Sequence, residues 1–338
     1  MTSSQPPLGD RVRRLAPGLV AAIAIALVAR LATNVVPSWL SEAPIAVFAG
    51  LAVAAVGTPR SWAPGASFAL KWLLRAGIVL LGAQLSLGLL AQVGGAVLVV
   101  IVIDVLLALA LGVGLGRLLG VPPSLAMLLG VGTAICGNTA IITVAPVIGA
   151  DKRDQSYAVT TITVLGTAAV LLYPVIGVAA GLAAPQFGVW AGLAVHDTSQ
   201  VVATASAVSG VALTYATVVK LTRNVMLAPV LLLLGAVSGR APGQRLRAAI
   251  PVFVWGFIAM AALRSAGVLP DDLVRLLVDG ARVLILVALA GLGLSTPIRE
   301  LPALGFRPFL LGLLIMLAIS VLSFGLLVSG TLPLPPPS

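Results

Sequence analysis

The sequence predicts an all-α polytopic membrane protein with about 11 transmembrane helices: one extra helix at the amino terminus, then two inverted five-helix repeats with crossing broken helices. Three observations predict it. Of the 338 residues, 60% are hydrophobic and only 9% charged, with a mean hydropathy of +1.16, whereas about 25% of residues are charged in a soluble domain. Eleven apolar segments approach or exceed the length of about 20 residues that a spanning helix needs. Two of these segments are interrupted by glycine and small polar residues, and broken backbone at membrane depth persists only where protein or a water-filled cavity satisfies it.

Taken in order, residues 1–14 carry Arg11, Arg13 and Arg14 and form a cytoplasmic tail, and 15–36 is the extra helix. That helix is long enough to span, and no small-residue cleavage site follows it, which argues for a retained helix over a signal peptide. Segments 43–58, 71–90, 95–118, 123–148 and 156–183 make the first repeat, 43–183; segments 186–209, 213–238, 248–268, 276–298 and 308–330 make the second, 186–330. The connections are too short for a soluble domain, and the tail 331–338, TLPLPPPS, is proline-rich. Two matches suggest the repeat. KWLLRAGIVLLGAQL from Lys71 and KLTRNVMLAPVLLLLGA from Lys220 hold the second place in each half; the interrupted runs GVGTAICGNTAIITVAP (130–146) and VALAGLGLSTPI (287–298) hold the fourth.

With the amino terminus inside, the cations Arg11, Arg13, Arg14, Arg60, Lys71, Arg117, Arg240, Arg245, Arg247, Arg299 and Arg307 fall inside, and Lys152, Arg153, Arg264 and Arg275 outside. Eleven against four follows the positive-inside rule, and predicts a cytoplasmic amino terminus.

The net charge of +10 is spread over loops without the basic, aromatic-interleaved runs that bind nucleic acid. Cys136 is the sole cysteine and His196 the sole histidine, so neither an intrachain disulfide nor a tetrahedral zinc site is expected. None of the three lysines, Lys71, Lys152 and Lys220, follows a phosphate-binding glycine loop. No cofactor and no enzymatic activity are expected; an intramembrane enzyme using His196, Asp197 and Cys136, or a non-transporting sensor, is the rival reading.

Paired interruptions in two halves of a membrane chain point to a transporter's substrate site. A broken helix offers the unsatisfied amides and positive dipole end of one half-helix to whatever sits at the break, which suits a small oxyanion. The candidate substrate-binding residues are therefore Thr133, Cys136, Gly137, Asn138 and Thr139 at the first interruption and Ser295 and Thr296 at the second. Ionisable and polar residues inside spans add His196, Gln200, Lys220, Arg223 and Asn224. His196 and Gln200, four apart, are expected on one helical face, with Asp197 about 100° away and paired with Lys220 or Arg223. His196 and Asp197 are the coupling candidates, with H+ or Na+ as the ion. Lys71 and Arg75 are expected to snorkel, and Asp104 to pair with Arg282.

With those residues in view, the chain resembles the bacterial YeiH-like sulfate exporter family over nearly its whole length. The resemblance rests on GTAICGNTAIITVAPVI from Gly132, AGLAVHDTSQVVA from Ala191, TVVKLTRNVMLAP from Thr217 and ALAGLGLSTPIREL from Ala288. It implies the fold of the cation/proton antiporter and anion transporter superfamily: inverted repeats, crossing broken helices, elevator-type alternating access and, by analogy with elevator-type relatives, a homodimer. The family more often has Ala-Ser where this chain has Asn138 and Thr139, and Glu in place of Asp197. The implied function is secondary active transport of a small anion, sulfate or a related oxyanion. A sodium- or proton-coupled symporter of organic carboxylates or sulfonates is the alternative on the same fold.

Overall fold

The computed structural model describes residues 8–33, 42–85, 87–239, 251–296 and 305–330, and within them every regular element is a helix. The predicted proline-rich tail, the loop arginines Arg240, Arg245, Arg247 and Arg299, and the ends of segments 15–36 and 276–298 lie outside these residues.

Helix α1 runs from Leu8 to Ala32 and α2 from Glu42 to Val56. A helical rod over Arg60–Gln84 follows. It contains α3 (Ala63–Phe68), a π-turn over Ala69–Leu73 and α4 (Leu74–Leu81). Next come α5 (Leu87–Leu118), α6 (Pro123–Ala134), α7 (Asn138–Ile148), α8 (Lys152–Ala179), α9 (Ala184–Ala194) and α10 (Thr198–Ser206). The chain continues through α11 (Gly210–Val225), α12 (Leu227–Val237), α13 (Val252–Ser265), α14 (Asp271–Ser295) and α15 (Phe306–Val328). Six described helical stretches are long and apolar enough to cross a membrane: Val12–Ala32, Arg60–Gln84, Val97–Leu118, Lys152–Ala179, Gly210–Val237 and Phe306–Val328.

Two segments expected to span fold as hairpins instead. At 12 and 11 residues, α6 and α7 each reach only about 16–18 Å, half of a 30 Å hydrocarbon core. They form a hairpin. Ser124 at the start of α6 donates its hydroxyl to the carboxylate of Asp154 at the start of α8, so the chain returns after α7 to the end of the bundle it left. The same end, here the near face, holds Gly120 beside Arg307 and Gly305 beside Tyr157. Segment 186–209 is a second hairpin, α9 and α10, entering from the far face. Gly188 packs on Ala212 and Tyr215, while α10 ends only three residues before Ser209 caps α11 through Ala212 N (3.0 Å). Gln84 with Thr214, and Leu87 with Ser265, mark that far face.

The second interruption is therefore not where it was expected. Helix α14 passes uninterrupted through Gly291 and Gly293 to Ser295. These glycines serve close packing: a Cβ on Gly293 would lie 2.4 Å from the Val47 carbonyl oxygen, and one on Gly291 2.9 Å from that of Ala66. The break lies instead at 195–197, between α9 and α10. The hairpins thus hold the fourth place in one predicted half and the first in the other, so the ordinal match of interruptions disappears.

The helices sort into two bodies. One contains α1, α2, the 60–84 rod, α13 and α14; the other contains both hairpins with α5, α8, α11, α12 and α15. Among the described residues the bodies meet chiefly where α10 touches α2 and α14, and where α13 touches α5.

Candidate functional site

The two hairpin tips meet at mid-depth. Gly137 adopts φ +61° as the residue before α7, a conformation that side chains disfavour, and a Cβ there would lie 3.1 Å from Cβ of Asp197 at the other tip. Each tip leaves a helix carboxyl end and a helix amino end facing different surroundings.

The carboxyl ends of α6 and α9 face inward, where their last carbonyls have no intrahelical partner. Lys220 and Arg223, both fully buried on α11, satisfy them. The Lys220 ammonium donates to the Ile135 carbonyl (2.8 Å), to that of Val195 (3.0 Å) and to that of His196. The Arg223 guanidinium donates to the carbonyls of Thr133 (2.5 Å), Ala134 and Leu193. No carboxylate lies within ion-pair distance of either cation among the described residues. The compensating negative charge is the convergence of two helix carboxyl ends, which favour cations. Two cations on one helix thus tie both hairpin tips together.

The amino ends of α7 and α10 face the other way, into a cavity of about 600 Å³ between the two helical bodies. Asn138, Thr139, Asp197, Thr198, Ser199 and Gln200 line its tip wall, with Thr160 and Thr163 of α8 beside them. Asp197 is the amino cap of α10: its carboxylate accepts from Ser199 N (3.0 Å) and Ser199 Oγ (2.7 Å), and Gln200 Oε1 accepts from Asp197 N (3.3 Å). Gln200 Nε2 then donates to the Thr163 carbonyl (3.0 Å), in space that Gly166 leaves open; a Cβ there would stand 1.9 Å from Gln200 Oε1. Asn138 Nδ2 donates to Thr163 Oγ1 (3.2 Å). Helix α7 has no side-chain cap.

The opposite wall brings Lys71, from the π-turn, and Arg75, with Ser295 and Thr296 at the end of α14. Arg75 lies 5.7 Å from the ring centres of both Trp72 and Phe253, which orient it by cation–π attraction. Lys71 is exposed. A π-turn shifts the helical register locally and recurs at functional sites.

Of the sequence candidates, the cavity gathers Asn138, Thr139, Gln200, Ser295, Thr296 and Asp197. Thr133, Cys136, Gly137, His196, Lys220, Arg223 and Asn224 are not on its wall. His196 is fully buried in the extended link between α9 and α10, and shares no helical face with Gln200. Neither of its ring nitrogens has a hydrogen-bond partner among the described residues. Asp197 caps a helix instead of pairing with Lys220 or Arg223, because the tip turn aims its carboxylate at its own backbone. No hydrogen bond joins Cys136, His196 and Asp197 among the described residues. Arg282 pairs with Asp279 at 3.1 Å and not with Asp104, whose fully buried carboxylate has no hydrogen-bond partner among the described residues. Lys71 and Arg75 face the cavity, which snorkelling does not describe.

Sequence reasoning missed Lys71, Arg75, Thr160, Thr163, Thr198 and Ser199. One signal was available: Asp197-Thr-Ser-Gln200 has the spacing of a capping box, a helix start in the middle of an apolar run.

A family described as Conserved hypothetical protein 698 matches residues 17–312. A UPF0324 membrane protein of Agrobacterium fabrum is 36% identical over 294 residues, covering 86% of this chain and 85% of the relative. One from Bacillus anthracis is 34% identical over 305 residues, 86% of this chain and 90% of the relative. A third, from Brucella suis biovar 1, is 33% identical over 329 residues, 94% and 97% of the two chains.

Proposed function

The chain belongs to the UPF0324 membrane protein family, and we propose that it is a secondary active transporter of a small anion working by alternating access. The observation that carries this reading is the cavity in which the uncapped amino end of α7, beside the Asp197-capped amino end of α10, faces the cations Lys71 and Arg75. Anions bind where free amides, positive helix ends and charged donors converge. Small oxyanions as a class fit that chemistry.

A second cavity of about 240 Å³ supports the alternation. It is lined by Glu42, Ser209, Arg282 and Leu289, beside the carboxyl end of α10, and faces the opposite end of the bundle. Helix α10, in contact with α2 and α14, is the barrier between the two cavities. An elevator-type motion, in which the hairpin body slides against the α1, α2, α13 and α14 body, would close one cavity and open the other.

The near face is the cytoplasmic face in this reading. Among the described residues it carries Arg13, Arg14, Arg60, Arg117, Lys152, Arg153 and Arg307, against Arg30, Arg264 and Arg275 on the far face. Folding 123–148 as a hairpin moves Lys152 and Arg153 to the positive side and sharpens the asymmetry that an eleven-span topology left at Asp151–Gln155. The protein then sits in a bacterial inner membrane with its amino terminus inside, its large cavity open inward and H+ or Na+ as the coupling ion. Asp197 is the coupling candidate on the cavity wall.

Purified protein in liposomes tests the reading. Preloaded vesicles should accumulate labelled anion by counterflow, and unlabelled oxyanions should compete. Vesicles with protein that accumulate no more than empty vesicles, for every anion tried, would overturn it.

A further inference from the structure

We infer, on the basis of the transport reading above, that the anion carries an apolar body: a monovalent alkyl carboxylate or sulfonate rather than bare sulfate. Two independent features of the cavity point there.

The first is the lining. Among the hydroxyls and amides of the cavity, the partly exposed side chains of Leu70 and Phe253 on the opposite wall and Ile142 on the tip wall line the same space. Ile142 is 54% exposed on α7, one turn beyond Asn138, so an apolar surface lies directly beside the anion-binding amides. A site for a fully hydrated or fully hydrogen-bonded dianion gains nothing from such a wall. A ligand with an apolar body buries these side chains, and pockets that hold organic ligands have volumes of about 300–1,000 Å³. At about 600 Å³ the cavity has room for several carbons beyond the anionic head.

The second is charge. Two basic side chains, Lys71 and Arg75, and one acidic side chain, Asp197, reach the wall, a formal excess of one basic group. The amino end of α10 is already engaged by the Asp197 carboxylate, which leaves α7 as the helix end without a side-chain cap. One excess basic group and one open helix end match a monovalent head. A dianion would leave excess negative charge next to Asp197.

The test is a ladder of ligands against protein in lipid nanodiscs, followed by calorimetry: sulfate, methanesulfonate, propanesulfonate and pentanesulfonate. Each fully buried methylene should tighten Kd by about fourfold until the apolar wall is covered, so pentanesulfonate should bind well over tenfold more tightly than methanesulfonate and more tightly than sulfate. Sulfate binding as tightly as the longest sulfonate would overturn the apolar-body inference and leave the transport reading standing. No measurable binding of any anion would overturn both. The variant Ile142→Asn separates the pocket from partition into lipid: the chain-length gain should shrink severalfold in it, and a ladder unchanged by the substitution would overturn the inference.

Discussion

Lys71 with Arg75 and Lys220 with Arg223 are similar in sequence, each a lysine followed three or four residues later by an arginine at the head of an apolar run. Their surroundings are opposite. Lys220 and Arg223 are fully buried, and their donors are committed to backbone carbonyls at the carboxyl ends of α6 and α9. Lys71 and Arg75 stand on a cavity wall, and Arg75 is steered by two aromatic rings. Cations with committed donors hold a fold together, whereas cations with uncommitted donors are available to a ligand. Position inside a predicted span, which suggested Lys220 and Arg223 as anion ligands, does not separate these cases; the identity of the acceptor does.

The comparison breaks most visibly in stability. Replacing Arg223 by Gln, or Lys220 by Met, removes several charge-assisted hydrogen bonds and strands buried carbonyls, each such loss costing about 1–3 kcal/mol. Both variants should melt at least 10 °C below the parent, or fail to accumulate as folded protein, as read by thermal unfolding in detergent. A melting temperature within 2 °C of the parent would show that the tips hold together without them.

Next in size is the effect on ligand binding. Lys71→Gln and Arg75→Gln should each weaken anion affinity by about 10- to 100-fold, the worth of a charge-assisted hydrogen bond of about 1.5–3 kcal/mol, while the melting temperature of the empty protein stays near that of the parent. Unchanged affinity in both variants would remove the cavity cations from the site.

Coupling sharpens the contrast between wall and interior. Asp197 reaches the cavity and His196 does not, so Asp197→Asn should flatten the dependence of uptake on pH or on sodium. His196→Gln, if the protein folds, should retain the parent profile. The reverse outcome in uptake assays would return the coupling role to the histidine.

The smallest effect belongs to a surface pair. Arg264 and Asp271, 2.9 Å apart, are 35% and 76% exposed, and exposed pairs contribute about 0–1 kcal/mol. Arg264→Gln should leave anion affinity unchanged and shift the melting temperature by no more than about 2 °C. A loss of affinity as large as that of Lys71→Gln would show that the effect is one of net charge and not of position.

Much of the fold was legible because a bilayer is a strict solvent. Long apolar runs such as Val97–Leu118 and Phe306–Val328 have few alternatives to a spanning helix. The first break, at residues 135–137, was legible for the same reason, since Cys136, Gly137 and Asn138 interrupt such a run with backbone freedom and a polar side chain. Glycine gave no comparable guidance in α14. There Gly291 and Gly293 occur in an unbroken helix and admit the Val47 and Ala66 carbonyls, and one glycine code serves both breaking and packing. The opposite error fell on His196 and Asp197, where period-based reasoning continued a helix through a capping box.

The sequence by itself determined a helical membrane protein, the location of one polar break and the presence of two cation pairs, because hydropathy and backbone freedom are properties of contiguous residues. Only the tertiary structure decided that 123–148 and 186–209 are hairpins entering from opposite faces and that their tips meet. It also decided that Lys220 and Arg223 seal carbonyls while Lys71 and Arg75 face an open cavity. Each of these depends on contacts between residues tens to more than a hundred positions apart, such as Ser124 with Asp154 and Lys220 with Ile135. A spanning helix and a half-depth hairpin need nearly the same number of apolar residues, so the chain alone did not distinguish the two.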